Sequence, residues 1–233
     1  MRYEEYVRIQ VELLQKSGII DKNKIPDLEL YIDQVESFFD GQLKAITDET
    51  NKWHVTKTMI SNYAKYSIIP RSDGKKYSRD HLIMLTMVLY LKGFFKIDDI
   101  EYLMKPLVEN YNSAFDDQIN PETLYATACA ANEKFMENFS DNINNEVLSI
   151  KKLIEDTDIA DDERAEVLIL ILSLAMKADM EKLLAMKLLD TYFVGPDKEK
   201  KTKTKKVKES RQSASKVSKK SKKTSDEDFE KEL

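Results

Sequence analysis

The 233-residue chain contains one cysteine, one tryptophan, five glycines and five prolines. A lone Cys129 can make neither an internal disulfide nor a cysteine-based zinc site, so cysteine usage gives no sign of an oxidising compartment. So few glycines and prolines provide too little turn chemistry for a sandwich, a barrel or an α/β fold, and they exclude collagen-like and proline-rich classes. Long apolar runs are also missing. The longest, VLILILSLAM from Val167 to Met176, is ten residues broken by one serine, against about 20 for a membrane span. The first ten residues, MRYEEYVRIQ, hold neither an apolar run nor a cleavage site. The expected compartment is therefore the cytoplasm, with no membrane partner. There is no phosphate loop, dinucleotide fingerprint, nucleophile elbow or zinc motif. The chain is expected not to be an enzyme, and to hold neither cofactor nor metal.

Hydrophobic residues make up 42% of the chain and charged residues 34%, enough for a real core inside a helix-rich fold. The net charge of −5 conceals a segregation. Residues 1–51 carry net −5, residues 52–92 net +6, residues 93–196 net −12 and residues 197–233 net +6. Two basic islands in an acidic protein suit contact with an anionic polymer.

Apolar spacing predicts a helix over 3–17 stopped by Gly18, and a second, PDLELYIDQVESFF, opened by Pro26 and ended or bent at Gly41. TDETNK (47–52) reads as loop, with Trp53 anchoring it. Residues 56–66, TKTMISNYAKY, read as a short helix with Thr56 as N-cap. Met59, Ile60 and Tyr63 form its inner face, and Lys57, Ser61, Asn62 and Lys65 fall largely on the other side. In SIIPRSDGKKYSRDHL, Pro70 and Asp73-Gly74 signal a turn with arms too short for a sheet, hence a small β-wing. Ser78 caps the next helix, whose core set is Leu82, Leu85, Val88, Leu89 and Leu91. A helix from Ile97 is limited by Pro106. Beyond it, acidic helices are expected near 107–116, 121–138, 142–156 and 162–194, the last with a break near Ala178-Asp179. Leu168–Met176 is apolar on nearly every face, which marks a bundle centre or an interface. Residues 196–233, rich in Lys and Ser, have almost nothing to bury and are expected to be disordered.

The order helix, loop, short basic helix, turn with wing, helix fits a winged helix-turn-helix. In particular, MISNYAKYSIIP followed by GKKYSRDHLIML resembles the DNA-binding head of MerR-type regulators. Tyr63, Ile68, Ile69 and Pro70 match that head's recognition-helix exit. Tyr77, Ser78, Asp80, Leu82 and Leu85 match its wing exit and following helix, and KIDDIEYLM its last helix. Ser61 and Lys75 stand where such heads usually carry arginine, and Ser67 where they carry glycine. IPDLELYIDQV, TKTMISNYAK and KKYSRDHL together resemble an uncharacterised bacterial family, typical of Firmicutes, known only as a domain of unknown function.

The resemblance implies an all-α fold with a small β-wing. The expected parts are an N-terminal helix (1–21), a MerR-like winged head (22–105), an acidic helical domain (106–195) and a disordered tail (196–233). It implies a sequence-specific transcriptional regulator on double-stranded DNA, with the helix at 56–66 in the major groove and the wing at 70–79 on phosphates. The expected DNA-binding residues are Thr56, Lys57, Thr58, Ser61, Asn62, Lys65, Arg71, Lys75, Lys76, Tyr77 and Arg79. A homodimer is expected, since one short helix reads few base pairs, and the acidic helices could take a protein or small-molecule effector. The competing reading is a protein-interaction adaptor that keeps the winged fold without DNA. His54 and His81 are 27 positions apart without a metal pattern, EDTDIADDE lacks EF-hand spacing, and Cys129 among small residues reads as a packing residue.

Overall fold

A computed structural model describes residues 2–16, 19–46, 54–111, 119–160 and 162–195. The expected loop at 47–52, Trp53 and the tail lie outside these residues. The described chain is mostly helical, with seven α-helices and one two-stranded sheet. In order these are α1 (Tyr3–Lys16), β1 (Leu30–Tyr31), α2 (Ile32–Ile46), α3 (Lys57–Lys65), β2 (Lys76–Tyr77), α4 (Arg79–Lys92), α5 (Ile97–Tyr111), α6 (Pro121–Ile154) and α7 (Glu163–Leu189). The chain divides into two units, Met1–Leu183 and Leu184–Leu233. In the second, the described residues are the end of α7 and a wider π turn at Asp190–Val194.

One core organises the first unit. α4 lies at its centre, and His81 through Thr86, then Val88 and Leu89, are all buried. Most of α4 is covered because α5, α6 and β2 all pack on it, and Asp80, Met87 and Leu91 stay half-buried. Phe39 and Val35 of α2, Ile60 of α3, Ile68 and Ile69 after it, and Ile100 of α5 complete the core. Phe39 meets Phe38 edge to face at 5.2 Å. The segment before α2 is drawn in by Ile20, whose amide donates to Tyr90 Oη at 2.7 Å and whose carbonyl accepts from Tyr125 Oη at 2.5 Å. Burial pushes the Tyr90 hydroxyl up to about 12.

Several expectations are corrected. Pro26 does not open a helix. Leu30 and Tyr31 instead form β1, pairing antiparallel with Tyr77 and Lys76, and α2 starts at Ile32. Besides a single bridge from Lys76 to Asp73 within its own turn, β2 therefore pairs with residues 45 and 47 positions upstream. Gly41 does not end α2, which runs on to Ile46. Pro106 does not limit α5, which continues to Tyr111. Proline removes one backbone donor, but Leu107 and Val108 beyond it are buried, and their burial outweighs that one rung. Finally, the segments at 121–138 and 142–156 are one 34-residue helix, α6. Its polar middle sits in solvent, and Ile143, Val147 and Ile150 resume the buried stripe. α7 likewise passes Ala178-Asp179 without a break.

Candidate nucleic-acid interface

The short helix α3 is fixed at both ends by local chemistry. Thr56 Oγ1 accepts from the Met59 amide at 3.2 Å, an N-cap. At the other end the Ile68 amide donates to Tyr63 O at 2.8 Å and the Ser67 amide to Ala64 O at 3.3 Å. These two bonds form a Schellman motif, with Ser67 in the left-handed region at φ 57°. The motif turns the chain so that Ile68, Ile69 and Pro70 enter the core, which pins α3 to it. Inward, Ile60 and Tyr63 are buried, and burial raises the Tyr63 hydroxyl's pKa. Outward, Thr58, Ser61, Asn62 and Lys65 are exposed at spacings of three, four and seven, which places them on one face.

The turn that follows is equally specified. Gly74 and Lys75 both have positive φ (52° and 68°), and the Lys76 amide donates to Asp73 O at 2.8 Å, the geometry of a type I′ turn. It projects Lys75 and returns the chain to β2. There Tyr77 turns inward and meets the His81 ring edge to face at 5.5 Å. His81 is buried at 1% exposure. Its Nδ1 accepts from the Ser78 amide at 3.2 Å, so the ring's single proton sits on Nε2, facing Arg71 O at 3.3 Å. Ser78 Oγ lies 2.8 Å from the same Nδ1. Burial lowers the His81 pKa, and neutral His81 thus ties the start of the turn to the start of α4.

The eleven sequence-predicted residues fall into three groups. Thr56, Tyr77 and Arg79 are used by the fold. Thr56 is the cap and Tyr77 is buried. Arg79, 19% exposed, donates to Ile25 O and to Lys22 O (2.9 Å), and pairs with Asp27 (2.9 Å) and Glu122 (3.2 Å). It holds the segment before β1 against α4 and α6. Lys57 and Lys76 are exposed but engaged. Lys57 pairs with Asp33 and, at 3.8 Å, with Glu36, and the Asp33 carboxylate raises its pKa. Lys76 pairs with Glu29 at 3.4 Å and lies 6.0 Å from the Tyr31 ring centre. The remaining six, Thr58, Ser61, Asn62, Lys65, Arg71 and Lys75, are exposed. Among the described residues no carboxylate pairs with Lys65, Arg71 or Lys75, and Lys65 lies 5.5 Å from the Tyr66 ring centre.

Sequence reasoning missed the acids. Glu29, Asp33 and Glu36 lie 21 to 47 residues upstream of the cations they face, and only the β1–β2 register and the α2–α3 packing bring them together. An acidic segment directly upstream of a basic island was the available signal. No group of residues that could hold a metal ion occurs among those described, and no helix is long and apolar enough to cross a membrane.

Residues 20–128 match the model of a family described as a domain of unknown function, DUF1836. The match covers a little under half the chain. Its bounds coincide with the main core, whose buried residues run from Ile20 to Cys129. No curated protein matches the chain, and neither does any solved structure.

Proposed function

We propose that the chain is a dimeric, sequence-specific DNA-binding transcriptional regulator of the cytoplasm, with a MerR-like winged helix-turn-helix head. α3 enters the major groove, and Thr58, Ser61 and Asn62 face base edges. Lys65, Arg71 and Lys75 bind phosphates on either side. The observation that carries this reading is the outward face of α3. Short polar side chains and one free cation are displayed on a helix rigidly anchored at both ends, beside a tight turn that projects further cations. Asparagine's amide can pair with adenine in two places at once, which is the chemistry of base readout. α2, α3, β2 and α4 follow one another in the order the resemblance implies.

An adaptor that uses the same face on a protein is favoured by one observation. Glu29, Asp33 and Glu36 neutralise two of the cations and would repel phosphates nearby. The two readings separate in binding assays on duplex DNA at two salt concentrations. For the regulator, Asn62→Ala weakens binding to the preferred site by about 1–3 kcal/mol and leaves random DNA nearly unaffected. Lys65→Ala and Lys75→Ala weaken both and lower the salt slope by about one unit each. Binding by all three variants equal to the parent's, or a parent that binds no DNA, defeats the regulator reading.

A further inference from the structure

From the exposed surface of α7, we infer that this helix pairs antiparallel with α7 of a second copy of the chain. The inference rests on the dimeric part of the reading above and locates its seam. α7 touches its own protomer along one line. Leu170 is buried beside Val147 and Ile150 of α6, Ser173 Oγ donates to Glu146, and Lys177 pairs with Glu146. At about 3.6 residues per turn, the opposite face carries Arg164, Leu168, Ile171, Leu172, Ala175 and Asp179. Leu168 is 56% exposed, Ile171 56% and Leu172 52%. With Met176, Met180 and Leu183 beside them, they leave roughly several hundred Å² of apolar surface on one helix, the size at which a patch marks an interface.

Three observations select a second copy as the occupant. The chain's own residues 198–223 have little apolar content and carry thirteen basic groups, so they do not suit such a stripe. The stripe is self-complementary in antiparallel register. With the two-fold axis between Ile171 and Leu172, Leu168 faces Ala175 of the second copy and Arg164 faces its Asp179. The apolar patch is then closed at each end by an opposite-charge pair. A parallel register would set Arg164 against Arg164 and Asp179 against Asp179, which is repulsive. Finally, a groove of about 360 Å³ lined by Tyr3, Glu163, Arg164, Val167, Leu168 and Ile171 runs beside the stripe, and its apolar end at Leu168 and Ile171 can accept the second copy's Leu172.

The test is sedimentation of the full chain. The parent is expected to be a dimer, and Leu172→Glu a folded monomer by circular dichroism. Arg164→Glu and Asp179→Lys should each weaken the dimer by about tenfold, and the double variant should restore it, because each charge sits opposite the other across the axis. Introduced as cysteine variants, Ile171→Cys should crosslink under mild oxidation and Asp179→Cys should not. The native Cys129 is buried and does not compete. A monomeric parent, a dimer indifferent to Leu172→Glu, or crosslinking at 179 instead of 171 overturns the seam. None of these outcomes bears on whether the head binds DNA. A monomer that still selects a DNA sequence would remove the seam and leave the head's role, and a dimer that binds no DNA would do the reverse.

Discussion

The region from Ile20 to Cys129 and the layer formed by α1, the end of α6 and the start of α7 are built from similar residues but reach different states. The first closes a core of 23 buried residues around α4. The second has a cluster of three buried residues, Val147, Ile150 and Leu170, with Tyr3, Val7 and Ile169 packed on it. It leaves Leu13, Leu148, Leu153, Leu168, Ile171 and Leu172 more than half exposed. The difference is one of geometry. In the first region helices meet from several directions and cover one another. In the second, α1 packs on α6, α7 meets α6 through the small cluster around Leu170, and each helix has an apolar face left over. A self-sufficient core holds α3 and the turn after it in place, as the proposed reading of DNA requires. The incomplete one leaves apolar surface for the second copy inferred above.

The largest effect that would sharpen this contrast comes from truncating one apolar side chain in each region. Phe39, fully buried, should lose about 3–5 kcal/mol on Phe39→Ala in urea unfolding, whereas Leu153→Ala, 75% exposed, should change stability by less than about 0.5 kcal/mol. Equal losses would dissolve the distinction. Next is Arg79. Arg79→Met leaves the carbonyls of Ile25 and Lys22 without their donor, and should lower stability by about 1–3 kcal/mol. Lys65→Met should not lower it. If Arg79→Met alters DNA binding and leaves stability untouched, its guanidinium faces phosphate instead.

His81 makes the comparison depend on pH. Its folded pKa lies below the ordinary value of 6.5, so the stability it contributes is complete above pH 6.5. That stability is lost as the pH falls through the folded pKa, because a second ring proton would face the Ser78 amide. The parent's thermal midpoint should therefore drop between pH 7.5 and 5.5 by more than that of His81→Gln. Parallel pH profiles would show that His81 is not held neutral. The smallest expected effect is at Ser67. Ser67→Gly relieves the left-handed backbone and should stabilise by roughly 1 kcal/mol, and Ser67→Val should destabilise.

What could be read from the sequence was what is local. The Thr56 cap, the Asp73-Gly74 turn, the Ser78 start of α4 and the inner face Met59, Ile60, Tyr63 each depend on residues within one or two turns of each other, and each was legible. β1 was not, because two residues paired with partners 45 and 47 positions away carry no period of their own. Pro106 and the polar run in the middle of α6 misled for the opposite reason. Their local signals are real, but burial of Leu107 and Ile143 overrides them. For the candidate interface, the exposed face of α3 was legible. The diversion of Lys57, Lys76 and Arg79 into ion pairs was not, because it depends on tertiary register.

The most direct test of the account is selection of bound sequences from random duplex DNA by the full chain. A dimeric reader predicts enrichment of a site with two inverted half-sites, their centres about one helical turn or a multiple of it apart, and loss of that enrichment in Asn62→Ala. Recovery of no defined sequence even at low salt would contradict the account and leave the head to a protein partner.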